Sequence, residues 1–221
     1  MRLLGLLCAL VACSVLAEPR AAFADSTPTT RSSAVIVSSH IANHRDAIGA
    51  GVIVAVRPYG VRIVTAKHVA DAGAVTVWID HTPYPAEIVR TFPRRDLAVV
   101  DALVPRRKSM SFRPASVGSV LGPGEAIDIW GENDAGPRLE RGTLVTARAP
   151  GSDDEGADLL GFECTGCRPG DSGAGVFDSG GRLLGVLTAR LYTVDDRTVM
   201  LVAEPIDPTV YETGSAEVAG P

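Results

Sequence analysis

The segment Arg168-Pro169-Gly170-Asp171-Ser172-Gly173-Ala174-Gly175 places a hydroxyl among glycines. A serine hydroxyl is a poor nucleophile at neutral pH. It needs a base to take its proton and donors to hold the oxyanion that follows its attack. Glycine at position 170 lets the backbone adopt conformations closed to other residues, so the amides of Gly170 and Ser172 can point at one spot. The plain alternative is a glycine-rich turn with no catalytic duty. The nucleophile elbow of α/β hydrolases fits less well, because Gly-x-Ser-x-Gly needs glycine at position 174 and the chain has Ala174.

A base is offered by Thr65-Ala66-Lys67-His68-Val69, which sets His68 directly after the apolar run Val61 to Thr65. Its partner would be Asp96, in Arg95-Asp96-Leu97-Ala98-Val99-Val100, a carboxylate opening another strand-like run. Such an aspartate fixes the imidazole tautomer and stabilises the imidazolium formed when the histidine takes the serine proton. Taken singly, His68 reads as a structural histidine and Asp96 as a turn residue. Together the three sit at strand ends, in the order His, Asp, Ser. Asp71 and Asp101 are rival carboxylates, but neither lies in a motif like the one around Asp96.

The elements that must position these residues are short strands. β-branched or alternating runs occur at about 34–38, 51–56, 61–65, 75–79, 86–91 and 97–103. A stretch rich in Pro, Ser and basic residues, 105–123, interrupts them, and similar runs resume at about 126–130, 139–147, 159–163, 174–177, 183–190 and 199–203. Two groups of six predict an all-β protein of two antiparallel six-stranded β-barrels, since closure removes the edges that open sheets must protect. The organisation that follows is an N-terminal barrel over 25–112 carrying His68 and Asp96, and a C-terminal barrel over 113–206 carrying Ser172. A short turn and polar tail follow over 207–221. Asp207-Pro208 can start one helical turn there, and 151–156 is an acidic loop.

Composition limits the function. The chain has 221 residues, 46% hydrophobic and 21% charged, as in ordinary globular proteins. With 21 basic and 26 acidic residues the net charge is −5, which removes the long-range attraction that nucleic-acid binding draws on. The 23 glycines and 15 prolines shorten helices and multiply turns, which argues against a helix bundle. The apolar stretch from Leu3 to Ala17 is short for a membrane span and is followed by Ala22-Phe23-Ala24, so 1–24 reads as a secretory signal peptide with the mature start at Asp25. A lipoprotein anchored at Cys13 is the alternative, since Leu10-Val11-Ala12-Cys13 is similar to a lipobox. Against it, the apolar run continues beyond Cys13.

After signal removal only Cys164 and Cys167 remain, and an oxidising compartment makes a local disulfide their expected state. Its role would be to shape the loop, because so small a ring removes little entropy from the unfolded chain. A redox site would want a βαβ setting that is missing here. A zinc site would need His40 and His44 as further ligands, and one cysteine pair supports that weakly. His40-Ile41-Ala42-Asn43-His44 also lacks the glutamate of zinc-protease motifs. No metal and no cofactor is expected.

As a set, these motifs resemble the trypsin-like serine protease family, and most nearly its compact bacterial branch of HtrA (Deg) proteases. The resemblance runs from about Ser32 to Ile206. It rests on Gly49-Ala50-Gly51-Val52-Ile53-Val54, Thr65-Ala66-Lys67-His68-Val69, Asp96-Leu97-Ala98-Val99-Val100, Gly170-Asp171-Ser172-Gly173 and Leu184-Gly185-Val186-Leu187-Thr188. The spacings, 28 residues from 68 to 96 and 76 from 96 to 172, are similar to the bacterial members. The resemblance implies a cleft between two perpendicular barrels and a secreted endopeptidase, monomeric, acting on polypeptides without a membrane span. Catalysis would fall to His68, Asp96 and Ser172, with an oxyanion hole from the Gly170 and Ser172 amides. Thr188, Ala189 and Arg190 would line the substrate pocket. Arg190 could then favour an acidic side chain, unless it turns to solvent.

Three departures stand out. Gly173-Ala174-Gly175 follows the serine where Gly-Gly-Pro is common. Asp171 occupies the place where animal members pair an aspartate with a new N-terminus, yet no activation sequence precedes Ser32. Read to Pro221, the sequence carries no expectation of the PDZ domain of HtrA proteins. A protease-like binding module without turnover is the rival from another class, and an esterase is the rival among enzymes.

Overall fold

A computed structural model describes residues 33–40, 47–119, 122–133, 136–149, 159–192 and 199–212. Residues 1–24, expected to be a signal peptide, with Cys8 and Cys13, then His44, the stretch 151–156 and the tail beyond 212 lie outside the described residues.

Alternation along the strands sends neighbouring side chains into different cores. The first six strands are β1 (Ala34–His40), β2 (Ala47–Arg57), β3 (Gly60–Thr65), β4 (Ala74–Ile79), β5 (Thr82–Thr91) and β6 (Ala98–Leu103). They pair antiparallel in the order β1-β2-β3-β6-β5-β4 and close on themselves. Ile53, Ile63 and Val100 point into this barrel with Val35, Val37 and Val77. Their neighbours Val52, Val64 and Val99 point out, into a cluster shared with the second barrel. Both faces of β2, β3 and β6 are therefore buried, which is why these strands read as nearly unbroken apolar runs.

The second barrel consists of β7 (Ala126–Asn133), β8 (Gly136–Ala149), β9 (Leu159–Glu163), β10 (Gly175–Asp178), β11 (Leu183–Tyr192) and β12 (Val199–Pro205). It closes in the order β10-β11-β12-β9-β8-β7. Ile127, Ile129, Leu144, Leu160, Phe162, Leu187 and Leu201 belong to its own core. Trp130, Phe177, Leu183 and Val186 meet Val52, Val54 and Val99 in the shared cluster. The two closed six-stranded antiparallel barrels are those predicted from the runs.

Three strands begin three or four residues earlier than expected, β2 at Ala47, β5 at Thr82 and β8 at Gly136. β5 starts at Thr82 rather than near 86, taking in Pro83 and Pro85. Those prolines pair with Trp78 and Thr76 of β4, upstream of Ala86, where β6 joins. The missing proline N–H groups cost no ladder bond where β5 has a single partner.

Short helices mark the joints: α1 (Lys67–Ala70), α2 (Arg106–Ser109) and α3 (Thr209–Glu212). The link between barrels threads the boundary, where the Ala115 N–H donates to the Ile53 carbonyl (2.9 Å) and the Gly118 N–H to the Leu183 carbonyl (2.9 Å). At the C-terminal end, Asp207 caps α3 by accepting the Thr209 N–H at 2.8 Å. The Tyr211 carbonyl then accepts Nη1 of Arg62 on β3 at 2.8 Å. Arg62, nearly inaccessible to solvent, spends its other edge on both Asp101 oxygens at 2.7 Å each.

Candidate active site

His68 owes its position to burial around it. Thr65 ends β3 and donates its hydroxyl to the Ala50 carbonyl on β2 (2.7 Å). Val69 and Ala70 of α1 are buried, while Ser39 Oγ donates to the Val69 carbonyl at 2.6 Å. With those residues fixed inside, His68 is turned outward, its side chain half exposed.

Asp96 lies in the turn between β5 and β6, just before the fully buried Leu97. Both of its oxygens engage His68. Oδ1 accepts the His68 backbone N–H at 2.9 Å, and Oδ2 lies 2.6 Å from His68 Nδ1. That contact orients the ring so that Nδ1 carries the proton and Nε2 is left as the basic atom. The hydrogen bond to Asp96 raises the His68 pKa from its ordinary value; partial burial opposes this, and the Asp96 charge adds to it. Burial by itself would push the Asp96 carboxyl up. The bonds from the His68 ring and N–H, the imidazole charge and the Lys67 N–H outweigh it and leave the carboxyl lowered. The rivals are elsewhere: Asp101 is held by Arg62, and Asp71 ends α1 with its N–H on the Lys67 carbonyl (2.8 Å).

Ser172 comes from the loop between β9 and β10. Its carbonyl accepts the Ala50 N–H of β2 at 2.7 Å, so the serine is bonded straight to the first barrel. Gly49 makes room for this approach. A Cβ there would stand 2.4 Å from the Ser172 carbonyl oxygen and 2.7 Å from Cγ2 of Val69, the residue next to His68. One missing side chain thus lets the serine backbone and α1 pack against the same point. Among the described residues the Ser172 hydroxyl has no hydrogen-bond partner.

The loop's amides divide cleanly. The N–H groups of Arg168, Asp171, Gly173 and Ala174 donate respectively to Asp171 Oδ2 (2.5 Å), the Arg168 carbonyl (3.1 Å), the Leu187 carbonyl (2.7 Å) and the Asp171 carbonyl (2.9 Å). Among the described residues, the N–H groups of Gly170 and Ser172 have no protein acceptor. Gly170 takes φ +97°, a conformation suited to glycine. Two donors separated by one residue, left unused beside bonded neighbours at Asp171 and Gly173, can hold a developing negative charge.

Arg138 on β8 was not singled out in the sequence, yet it braces this loop. Its Nη1 donates to both Asp171 oxygens (3.1 and 3.3 Å), Nη2 to the Gly166 carbonyl and Nε to Glu140 (2.8 Å). An internal guanidinium therefore partners the carboxylate that precedes the serine. The Cys164 and Cys167 Cα atoms are 5.7 Å apart in disulfide geometry, and the Cys167 N–H donates to Cys164 Sγ at 3.2 Å.

Beside Ser172 opens a cavity of about 200 Å³, lined by Cys167, Arg168, Pro169, Leu187, Thr188 and Leu201. Thr188 lines this cavity. Ala189 and Arg190 pair with Val202 and Leu201 on the β11–β12 ladder, and their side chains lie outside the described residues. Leu187, though part of the motif at 184–188, and Leu201 were not expected in the pocket, because an alternating strand residue signals burial, not the space it faces.

A glycine-flanked serine loop and an oriented imidazole at the junction of two closed antiparallel barrels are the arrangement of the chymotrypsin-like class. The trypsin-like peptidase domain matches residues 49–186, and the chain belongs to that family; it is a serine-type endopeptidase. No curated protein matches the sequence. Solved structures share the fold. The active form of the Rv3671c protease from M. tuberculosis aligns with TM-score 0.65 and 23% identity over 79% of this chain and 77% of its own. The serine endoprotease from Yersinia pestis gives 0.65 and 20% over 85% and 64%. The HtrA-type protease AlgW with a tripeptide gives 0.68 and 19% over 86% and 61%, so the alignments span less than two thirds of the last two proteins.

Proposed function

We propose that this protein is an exported endopeptidase that cleaves polypeptides through His68, Asp96 and Ser172 with an acyl-enzyme intermediate. The observation that carries the reading is the double grip of Asp96 on His68, which orients the ring and leaves Nε2 as the base. His68 takes the proton of Ser172 Oγ as the oxygen bonds to the scissile carbonyl carbon. It then gives that proton to the leaving amine as the C–N bond breaks, and water releases the acyl group by the same route. The hydrogen bond between Ser172 and His68 forms as peptide binds, a tightening common in such sites. The Gly170 and Ser172 amides receive the oxyanion.

Export rests on the N-terminal signal pattern, and no described helix is long and apolar enough to cross a membrane. We place the domain division at 25–112 and 113–206, a reading supported by one barrel of strands within each range. Labelling with a fluorophosphonate tests the reading. The mature protein should label at Ser172 and hydrolyse casein. Absence of labelling would favour a silent binding module, and labelling with ester but no peptide hydrolysis an esterase.

Two further expectations belong to this reading. Arg138→Met should lower kcat by roughly 100- to 1000-fold, the usual cost of a lost oxyanion donor, because Asp171 and Gly166 lose their brace. A burst titration with unchanged active-site count and slowed acylation would bear this out; unaltered kcat would refute it. The described pocket walls are mostly apolar, so an uncharged aliphatic side chain should be preferred before the scissile bond. Leucine should beat alanine by about tenfold or more in kcat/KM. A peptide library favouring Glu or Asp would instead assign Arg190 to the pocket.

A further inference from the structure

Asp96 is gripped from behind as well as in front. Glu204 of β12 belongs to the second barrel and is only 4% exposed, yet its carboxylate reaches the loop of the first barrel that carries Asp96. Oε1 accepts the Asp96 backbone N–H at 3.1 Å, and Oε2 accepts Arg95 Nε at 2.8 Å. Arg95 also donates Nη2 to the Pro205 carbonyl and lies over the Phe92 ring at 5.6 Å. We propose that Glu204 is a positioning residue for Asp96, setting the aspartate, and through it the His68 ring, from across the barrel boundary. This rests on the triad reading given above.

A buried carboxylate is costly unless its oxygens are filled, and apolar residues of similar volume would serve packing as well or better. Here the two oxygens lie on consecutive residues of one turn, Arg95 and Asp96. Glutamate can bridge them because both oxygens accept. Glutamine has one acceptor oxygen and can satisfy only one of the two donors. Asp96 has no freedom to compensate, since both of its own oxygens are engaged by His68. Loss of the bridge therefore appears at the imidazole. The strand that supplies Glu204 also supplies Leu201 to the substrate pocket, so pocket and triad share one rigid support.

Glu204→Gln and Arg95→Gln, compared with wild type on a chromogenic peptide, separate positioning from plain stability. Glu204→Gln should lower kcat on the order of 10- to 100-fold with KM within about twofold, the cost of a small misplacement of a catalytic group. Glu204→Gln removes a negative charge from the turn that carries Asp96 and should also move the acid limb of kcat/KM to lower pH, while Arg95→Gln removes a positive charge from the same turn and should move it higher. Other ionisable residues on elements packed against α1 are His40 on β1 and Arg57 on β2, with Lys67 and Asp71 flanking His68; neither variant alters them. Opposite displacements support the assignment, since a loss of stability alone would not reverse sign. Unchanged kcat and limb in Glu204→Gln overturn it. If that variant does not fold, an unmoved limb in Arg95→Gln overturns it equally. A wild type that never labels with fluorophosphonate defeats the triad reading and this one with it. A labelling wild type with an indifferent Glu204→Gln defeats this one alone.

Discussion

Ser172→Ala should lower kcat by about 10⁶-fold and abolish fluorophosphonate labelling, and His68→Ala should cost nearly as much. Their combination should cost little more than either alone, because the proposed nucleophile and base act as a unit. Ser172→Ala removes a hydroxyl that has no hydrogen-bond partner among the described residues. The bonds that fix the loop, from the Ala50 N–H to the residue 172 carbonyl and from the Gly173 N–H to the Leu187 carbonyl, use backbone atoms and survive. Unfolding should therefore be close to wild type, which separates lost chemistry from lost structure. Residual hydrolysis above the uncatalysed rate would come from the two free amides and substrate binding. Full activity in Ser172→Ala would remove the nucleophile from the proposal.

Asp96→Asn should reduce kcat by roughly 10⁴-fold, since the amide can present its NH₂ to Nδ1 and favour the wrong tautomer. The pH profile should change as well. Hydrolysis needs neutral His68, and Asp96 raises the imidazole pKa, so the wild-type acid limb should lie above the ordinary histidine value of about 6.5. In Asp96→Asn the raising hydrogen bond and charge are gone while burial remains, so the limb should move down. A limb that stays put would mean that Asp96 does not govern the ring. The same pair links weakly to stability. Protonated His68 stabilises the fold fully below the unfolded histidine pKa, and that contribution is lost as pH rises through its raised folded value. The lowered Asp96 value contributes above the unfolded aspartate pKa and is lost as pH falls through the folded one. With side chains 50% and 34% exposed, both effects should be small.

Local chemistry made much of this legible before any coordinates. The runs Val61 to Thr65 and Leu97 to Leu103 announce strands, the first because β-branched residues dominate it and the second because it is apolar but for Asp101. His68 and Asp96 stand out because a polar residue at the end of such a run needs a reason. The start of β5 was hidden, since Pro83 and Pro85 normally argue against a strand and only pairing on one side makes them acceptable. Arg138 and Glu204 were hidden for another reason. Each acts on a residue far along the chain, and an arginine or glutamate on a strand of alternating residues looks like any solvated charge. Asp171 was a partial clue: a carboxylate next to the nucleophile calls for a cation, but nothing local says which one.

The bond from Arg62 to the Tyr211 carbonyl bears on which proteins can be cut. After the last strand of one half, the backbone returns to the other half and is tied there, much like a strap across a hinge. The Ala50 and Ala115 amides pin the same seam nearer the serine. So laced, the two halves should resist opening around a bulky folded body. Under the endopeptidase reading proposed above, a victim should then need a stretch already loose enough to lie straight, so that vulnerability follows the local unfolding of the target as much as the side chains it offers.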